Sequence, residues 1–123
     1  MKPPKPSFFQ GFGYAFDGII NSIKSEVNLK FHLVAAFLVI AMGAFFQISS
    51  NEWLWILLAI FLVLAAEVMN TAIESLCNLV SSEYHPLIKK TKDAAAGAVL
   101  LLSLFALICG FIVFLPKIID IFF

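Results

Sequence analysis

The sequence predicts an all-α membrane protein: one amphipathic helix on the membrane surface, then three transmembrane helices. Three observations carry that expectation. The chain is 62% hydrophobic and 13% charged over 123 residues, whereas soluble domains run about 45–50% apolar and about 25% charged. A soluble core hiding this much apolar surface would need a larger protein. Apolar runs long enough to cover a hydrocarbon layer of ~30 Å recur three times, and ahead of them apolar residues repeat at the helical period.

Charge and cysteine usage narrow the function classes. Formal net charge is zero, there is no arginine, and all eight positive charges are lysines. A general polyanion binder is not expected, and nucleic acid is excluded as a partner. Cys77 and Cys109 lie in apolar stretches with no C-x-x-C motif or His/Cys cluster, so they read as core thiols. The start "MKPPKPSFF" has no apolar h-region or small-residue cleavage site, so no signal peptide and no export are expected.

The elements follow in order. "PPKP" at residues 3–6 is an extended lead that cannot be helical. Phe8, Phe12, Phe16, Ile19 and Ile23 then recur every three or four residues, with Gln10, Asp17, Asn21 and Lys24 off the stripe. This predicts a helix over 8–29 lying in the cytoplasmic interface. Its stripe continues onto Glu26 and Lys30, a charged pair that must either pair internally or line a site. Spans are predicted over 31–49, 53–80 and 94–115, with a cytoplasmic loop over 81–93. The turn "SSNE" has no lysine. Lys2, Lys5, Lys24, Lys30, Lys89, Lys90 and Lys92 share the side of the N-terminus and the 81–93 loop, so seven of eight lysines mark that side as cytoplasmic. Trp53 and Trp55 mark the opposite interface. No repeat or second domain is visible, and residues 1–123 are expected to form one unit.

The second span carries polar groups that a membrane helix does not need. Glu67, Asn70 and Glu74 fall at i, i+3 and i+7 and share one helical face. Counted from Trp53, Glu67 lies ~21 Å along the axis and Glu74 ~32 Å. Glu67 is thus in the inner leaflet, and Glu74 is at its cytoplasmic boundary. An acidic residue deep in a membrane costs roughly 2.5–3.5 kcal/mol and usually marks function. A carboxylate at headgroup depth can accept a proton from a lipid hydroxyl. A second one nearer the cytosol, with Glu26 at a similar level, can hold a divalent cation through hard oxygen ligands. Lysines 89, 90 and 92 can neutralise a polyphosphate. These parts suit phosphoryl transfer, whose catalysis is mainly positioning and charge stabilisation. No Walker A loop or kinase Gly-rich loop is present, so a kinase here is of unrelated design. Two other classes compete. One is a non-catalytic assembly subunit whose polar triad joins helices. The other is a small proton or cation translocator with Glu67 and Glu74 as relays, which the apolar outer half of the second span disfavours.

"EVMNTAIES", followed by "SSEYHPLIKKTKDAAAGAVLL", resembles the small bacterial integral-membrane diacylglycerol kinase family, which includes undecaprenol kinase. "SEVNLKFH" at residues 25–32 is more similar to the undecaprenol kinase branch. The resemblance covers nearly the whole chain. It implies a homotrimeric helical bundle in the bacterial cytoplasmic membrane, with active sites shared between subunits. It further implies an ATP- and Mg²⁺-dependent kinase that phosphorylates a membrane lipid alcohol, giving undecaprenyl phosphate or phosphatidic acid. By the same resemblance Glu67 matches the proton acceptor and Asn70 its neighbour. Glu26 and Glu74 match the Mg²⁺–ATP ligands. Tyr14, Glu83, Tyr84, His85, Lys92 and Asp93 match nucleotide-contacting positions. The chain departs from the family pattern at Ser7, where the diacylglycerol branch has an arginine, at Asn78, where an aspartate is common, and at Ala96, which replaces a serine beside the lipid site. Undecaprenol and diacylglycerol both remain candidate acceptors. Several residues carry structural readings beside functional ones: Lys89 and Lys90 as topology determinants, His32 as an interfacial residue or substrate contact, His85 before Pro86 as a turn residue or nucleotide contact, and Asp93 as a helix N-terminal acid. The "AAAGA" run serves close helix packing.

Overall fold

A computed structural model describes residues 3–123 and contains four helices: α1 (Phe8–Ser25), α2 (Val27–Phe46), α3 (Ser50–Val80) and α4 (Pro86–Phe122). Among the described residues there is no strand. Lys2, one of the seven lysines assigned to the cytoplasmic side, lies outside them. α2, α3 and α4 are each long and apolar enough to cross a membrane, and the chain is a multi-pass membrane protein.

α1 begins with a capping box. The Gln10 amide N–H donates to Ser7 Oγ at 3.3 Å, and the Ser7 N–H donates to Gln10 Oε1 at 2.9 Å, which satisfies two of the free N–H groups of the first turn. The aromatic stripe faces away from the protein: Phe8, Phe12 and Phe16 are all exposed, as an interfacial helix requires. Towards α3 the helix turns Gly18, Asn21, Ser22 and Ser25, small or polar residues facing Val68, Thr71, Ala72 and Ser75 across an open cavity.

The expected surface helix over 8–29 is shorter than the pattern suggested. It ends at Ser25, and the first span begins at Val27 instead of 31. Glu26, with φ −114° and ψ 117°, is extended and caps both helices. Ser25, Val27 and Asn28, which flank it, are weak helix formers, and the chain turns there. Glu26 therefore sits at a corner, and the apolar stripe does not run on to it.

The far end of the bundle is apolar and tightly closed. Gln47 adopts the left-handed conformation (φ 52°), and the Ile48 N–H donates back to the Gly43 carbonyl at 3.2 Å, a Schellman-type stop. Ser49 and Glu52 then form the capping box that starts α3 at Ser50, three residues before the expected Trp53. Ile48, Ile56, Val113 and Phe114 form a buried cluster that Met42, Phe46 and Trp53 complete. Lys117 Nζ donates to Glu52 Oε2 at 3.0 Å and ties α4 to α3. Gly43 makes this closure possible. A Cβ there would stand 2.6 Å from Cη2 and 2.9 Å from Cζ2 of Trp53. Gly43→Ala is therefore expected to destabilise the protein by about 1–3 kcal/mol through overpacking. A lowered thermal midpoint in detergent, with a shifted tryptophan emission, checks this.

α4 runs for 37 residues, about 55 Å at 1.5 Å per residue, well beyond the ~30 Å hydrocarbon layer. The loop expected over 81–93 is accordingly reduced to 81–85. Pro86 occupies the first helical position, where its missing N–H costs nothing. The His85 side chain accepts from the Leu87 N–H at 3.1 Å, so residues 86–93 are helical. At its other end α4 continues through Pro116 to Phe122, past the expected limit at 115.

Candidate active site

The polar face of α3 is turned into the protein. Glu67 is 4% exposed, and Asn70 is buried beside it. His32 of α2 meets this face, with Nε2 standing 3.2 Å from Glu67 Oε1. One turn on, Asn70 Nδ2 donates to Glu74 Oε1 at 3.3 Å. Asn70 Oδ1 is the single buried side-chain polar atom without a partner among the described residues. An orphaned acceptor in a low-dielectric site is costly, which marks this oxygen as a candidate ligand contact.

The same face extends past Glu74. Asn78 lies one turn further, and Lys92 of α4 donates to its Oδ1 at 2.8 Å. Glu67, Asn70, Glu74 and Asn78 thus form a polar ladder, spanning about 16 Å by helical rise. Its outer end opens on a cavity of about 360 Å³ lined by Asn78, Glu83, Tyr84, His85, Lys92 and Asp93, among others. Five residues expected to act together are therefore gathered at one place. Lys89 joins them through Asp93, with Nζ 2.6 Å from Oδ2, whereas Lys90 does not line the cavity. His85 takes a turn role through Nδ1, which accepts the helix-capping bond, and it lines the cavity as well.

Two expected residues do not line this cavity. Tyr14 is exposed on α1 and lines neither this cavity nor the space beside His32. Glu26 is half-buried at its corner and makes no side-chain cap hydrogen bond. Among the described residues no three His, Cys, Asp or Glu side chains cluster as a ready metal site.

On the other side of Glu67 the surroundings become apolar. A cavity of about 450 Å³ starts at His32 and runs between α2 and α4 past Val39, Met42, Gly110 and Phe114 to Ile118. Sequence reasoning had no access to this groove, because its walls come from helices whose faces carry no polar marker. Nor did it foresee the His32–Glu67 contact, which joins residues far apart in the chain. Asn78 was visible only as a departure from the family pattern.

Residues 13–114 match the prokaryotic diacylglycerol kinase family. The chain belongs to that family. It is similar to the undecaprenol kinase of Bacillus subtilis, with 41% identity over 110 residues that cover 89% of each chain. It is 33% identical over 116 residues to a diacylglycerol kinase of Synechocystis, covering 94% of this chain and 66% of that one. With the diacylglycerol kinase of Escherichia coli K12 it shares 27% identity over 96 residues, 78% of this chain and 79% of the other. The protein is therefore a lipid kinase, and the assembly-subunit and translocator alternatives are not favoured.

Proposed function

We propose that the protein transfers the γ-phosphate of ATP to the hydroxyl of undecaprenol, giving undecaprenyl phosphate. The observation that carries this is the position of Glu67, at one end of the polar ladder that leads to the lysine-lined cavity and 3.2 Å from His32, which lines the apolar α2–α4 groove. A lipid tail in the groove brings its hydroxyl to the carboxylate, and a nucleotide at the lysine end brings phosphate from the opposite direction. Undecaprenol is preferred over diacylglycerol because the relative named undecaprenol kinase shares more identity over most of both chains. One long groove also suits a single tail better than two.

In this mechanism Glu67 accepts the hydroxyl proton while the lipid oxygen bonds to the γ-phosphorus. The bond from that phosphorus to the β–γ bridging oxygen breaks, and ADP departs. Asn70 stands one turn along the same face and ties Glu74 to it through its Nδ2–H, and Lys92 neutralises charge on the phosphates. Glu26 and Glu74 would hold Mg²⁺ together with phosphate oxygens, since Mg²⁺ is commonly bound by one or two carboxylates plus its nucleotide. Asn70 bonds Glu74 through Nδ2, and its orphaned Oδ1 offers a further hard oxygen in the same part of the face. When bound, the ion supplies charge neutralisation for the transferring phosphoryl group. Glu83, Tyr84, His85 and Asp93 would contact the nucleotide, with Tyr14 brought in from α1. The assembly would be a homotrimer with sites completed between subunits, in the bacterial inner membrane. The lysine-rich end, with the N-terminus, would face the cytoplasm.

The test uses purified protein in mixed micelles with Mg²⁺ and γ-labelled ATP, offering undecaprenol and diacylglycerol separately. Label entering undecaprenol supports the proposal. Label entering diacylglycerol alone reassigns the acceptor, and label in neither overturns the proposed chemistry.

The groove makes its own prediction. Gly110 lines it, and a Cβ added there meets nothing within 4 Å. Gly110→Leu should fold and fill the groove. The expected result is a rise of about tenfold in KM for the lipid, the size a changed apolar pocket commonly gives, at an unchanged KM for ATP. An unchanged lipid KM would mean that the tail lies elsewhere.

A further inference from the structure

We propose that His32 is a positioning residue for Glu67: it holds one carboxylate oxygen and leaves the other free to take the lipid proton. This rests on the proposed role of Glu67 as base. His32 Nε2 lies 3.2 Å from Glu67 Oε1, with side chains 21% and 5% exposed. The rest of the imidazole is on apolar ground, where His32 lines both the 450 Å³ groove and a second cavity of about 110 Å³ between α2 and α3, among Val39, Ala59 and Val63. It is the only titratable residue in either lining. A histidine in hydrocarbon surroundings with a single charged neighbour is expensive to keep as packing alone, since an apolar residue would fill the space at lower cost.

The chemistry gives the ring a reason to be there. A carboxylate on a long side chain samples several rotamers, and a general base works only within hydrogen-bond reach of its proton. The Glu67 backbone is fixed by α3, where the Thr71 hydroxyl donates to its carbonyl at 3.0 Å. The side chain receives its lateral support from another helix, through His32. Nε2 can donate in either the neutral Nε2–H tautomer or the protonated ring. The held oxygen fixes the carboxylate plane and leaves the second oxygen for the hydroxyl, which arrives past His32 from the groove. The ring also forms the inner end of the groove, so tail binding and orientation of the base meet at one residue.

Four variants test this, with kcat and both KM values measured in the micelle assay: His32→Leu, His32→Gln, Glu67→Gln, and His32→Leu combined with Glu67→Gln. Misplacing a reacting group by about 1 Å can cost about 100-fold. The expected result for His32→Leu is a kcat about 100-fold lower, with KM for lipid and for ATP changed by less than about threefold. His32→Gln, which keeps an N–H donor of comparable reach, is expected within about tenfold of the parent. In the Glu67→Gln background the Leu substitution should cost less than about threefold more, because residues acting as a unit are not additive. A kcat at the parent level in His32→Leu, a loss confined to lipid KM, or a full additional loss on top of Glu67→Gln would each overturn the proposal. If His32→Leu does not fold, His32→Gln and His32→Asn decide: a faster Gln variant supports the proposal, and equal or reversed rates overturn it. Parent-level kcat in Glu67→Gln would instead remove the assignment of Glu67 as base. Loss in Glu67→Gln with none in His32→Leu would leave that assignment intact and remove this one.

Discussion

Glu67→Gln is expected to lower kcat for lipid phosphorylation by about 10²–10⁴-fold, the contribution a positioned general base typically makes. The amide matches the carboxylate in size, so the burial of residue 67 and its place beside His32 are retained. What the amide cannot do is accept the hydroxyl proton. KM for ATP should stay near the parent value, because the cavity at the lysine-rich end is lined by residues of the 81–85 connection and α4 together with Asn78. Stability gives an independent check on the cause. An acidic side chain deep in hydrocarbon costs folding energy, so replacing it should leave the thermal midpoint unchanged or raised. Lost turnover in a protein of equal or greater stability is the signature of a missing base. Activity within about threefold of the parent would show that the proton leaves by another route.

The parts of this fold visible in the sequence are those that hydropathy and period report. Hydropathy marks which residues lie in hydrocarbon, so the three spans were legible. It does not mark where a helix continues in water, so the sequence pattern ends short of the first turns of α4 at 86–93. Their determinants are local: Pro86 at the first helical position, and the His85 cap on Leu87. The corner at Glu26 was hidden for the opposite reason, because a periodic stripe can run past a break that three weak helix formers impose. The same distinction holds for the site. Glu67, Asn70 and Glu74 share one helix, and spacing alone put them on one face, which the Asn70–Glu74 hydrogen bond bears out. The contacts from His32 to Glu67 and from Lys92 to Asn78 cross between helices. No periodicity reports them, since they depend on how α2 and α4 rotate against α3.

Lys92→Met is the second large expected loss, about 10²–10³-fold in kcat, comparable to removing one donor that stabilises a transition state. Methionine keeps most of the apolar stem and removes the charge. In the free protein the Lys92 ammonium is 2.8 Å from Asn78 Oδ1, a neutral acceptor that holds it without neutralising it, whereas Lys89 is engaged with the Asp93 carboxylate at 2.6 Å. Lys92 therefore brings an undiminished positive charge to the end of the ladder next above Glu74. The balance between kcat and KM identifies when that charge acts. A fall in kcat at constant KM for ATP means that Lys92 meets charge developing on the transferring phosphoryl group. A rise in KM at constant kcat means that it binds the nucleotide equally in the ground and transition states, and that the charge stabilisation lies with other groups of the site. Parent values for both would remove Lys92 from the machinery and leave its bond to Asn78 as a tie between α3 and α4.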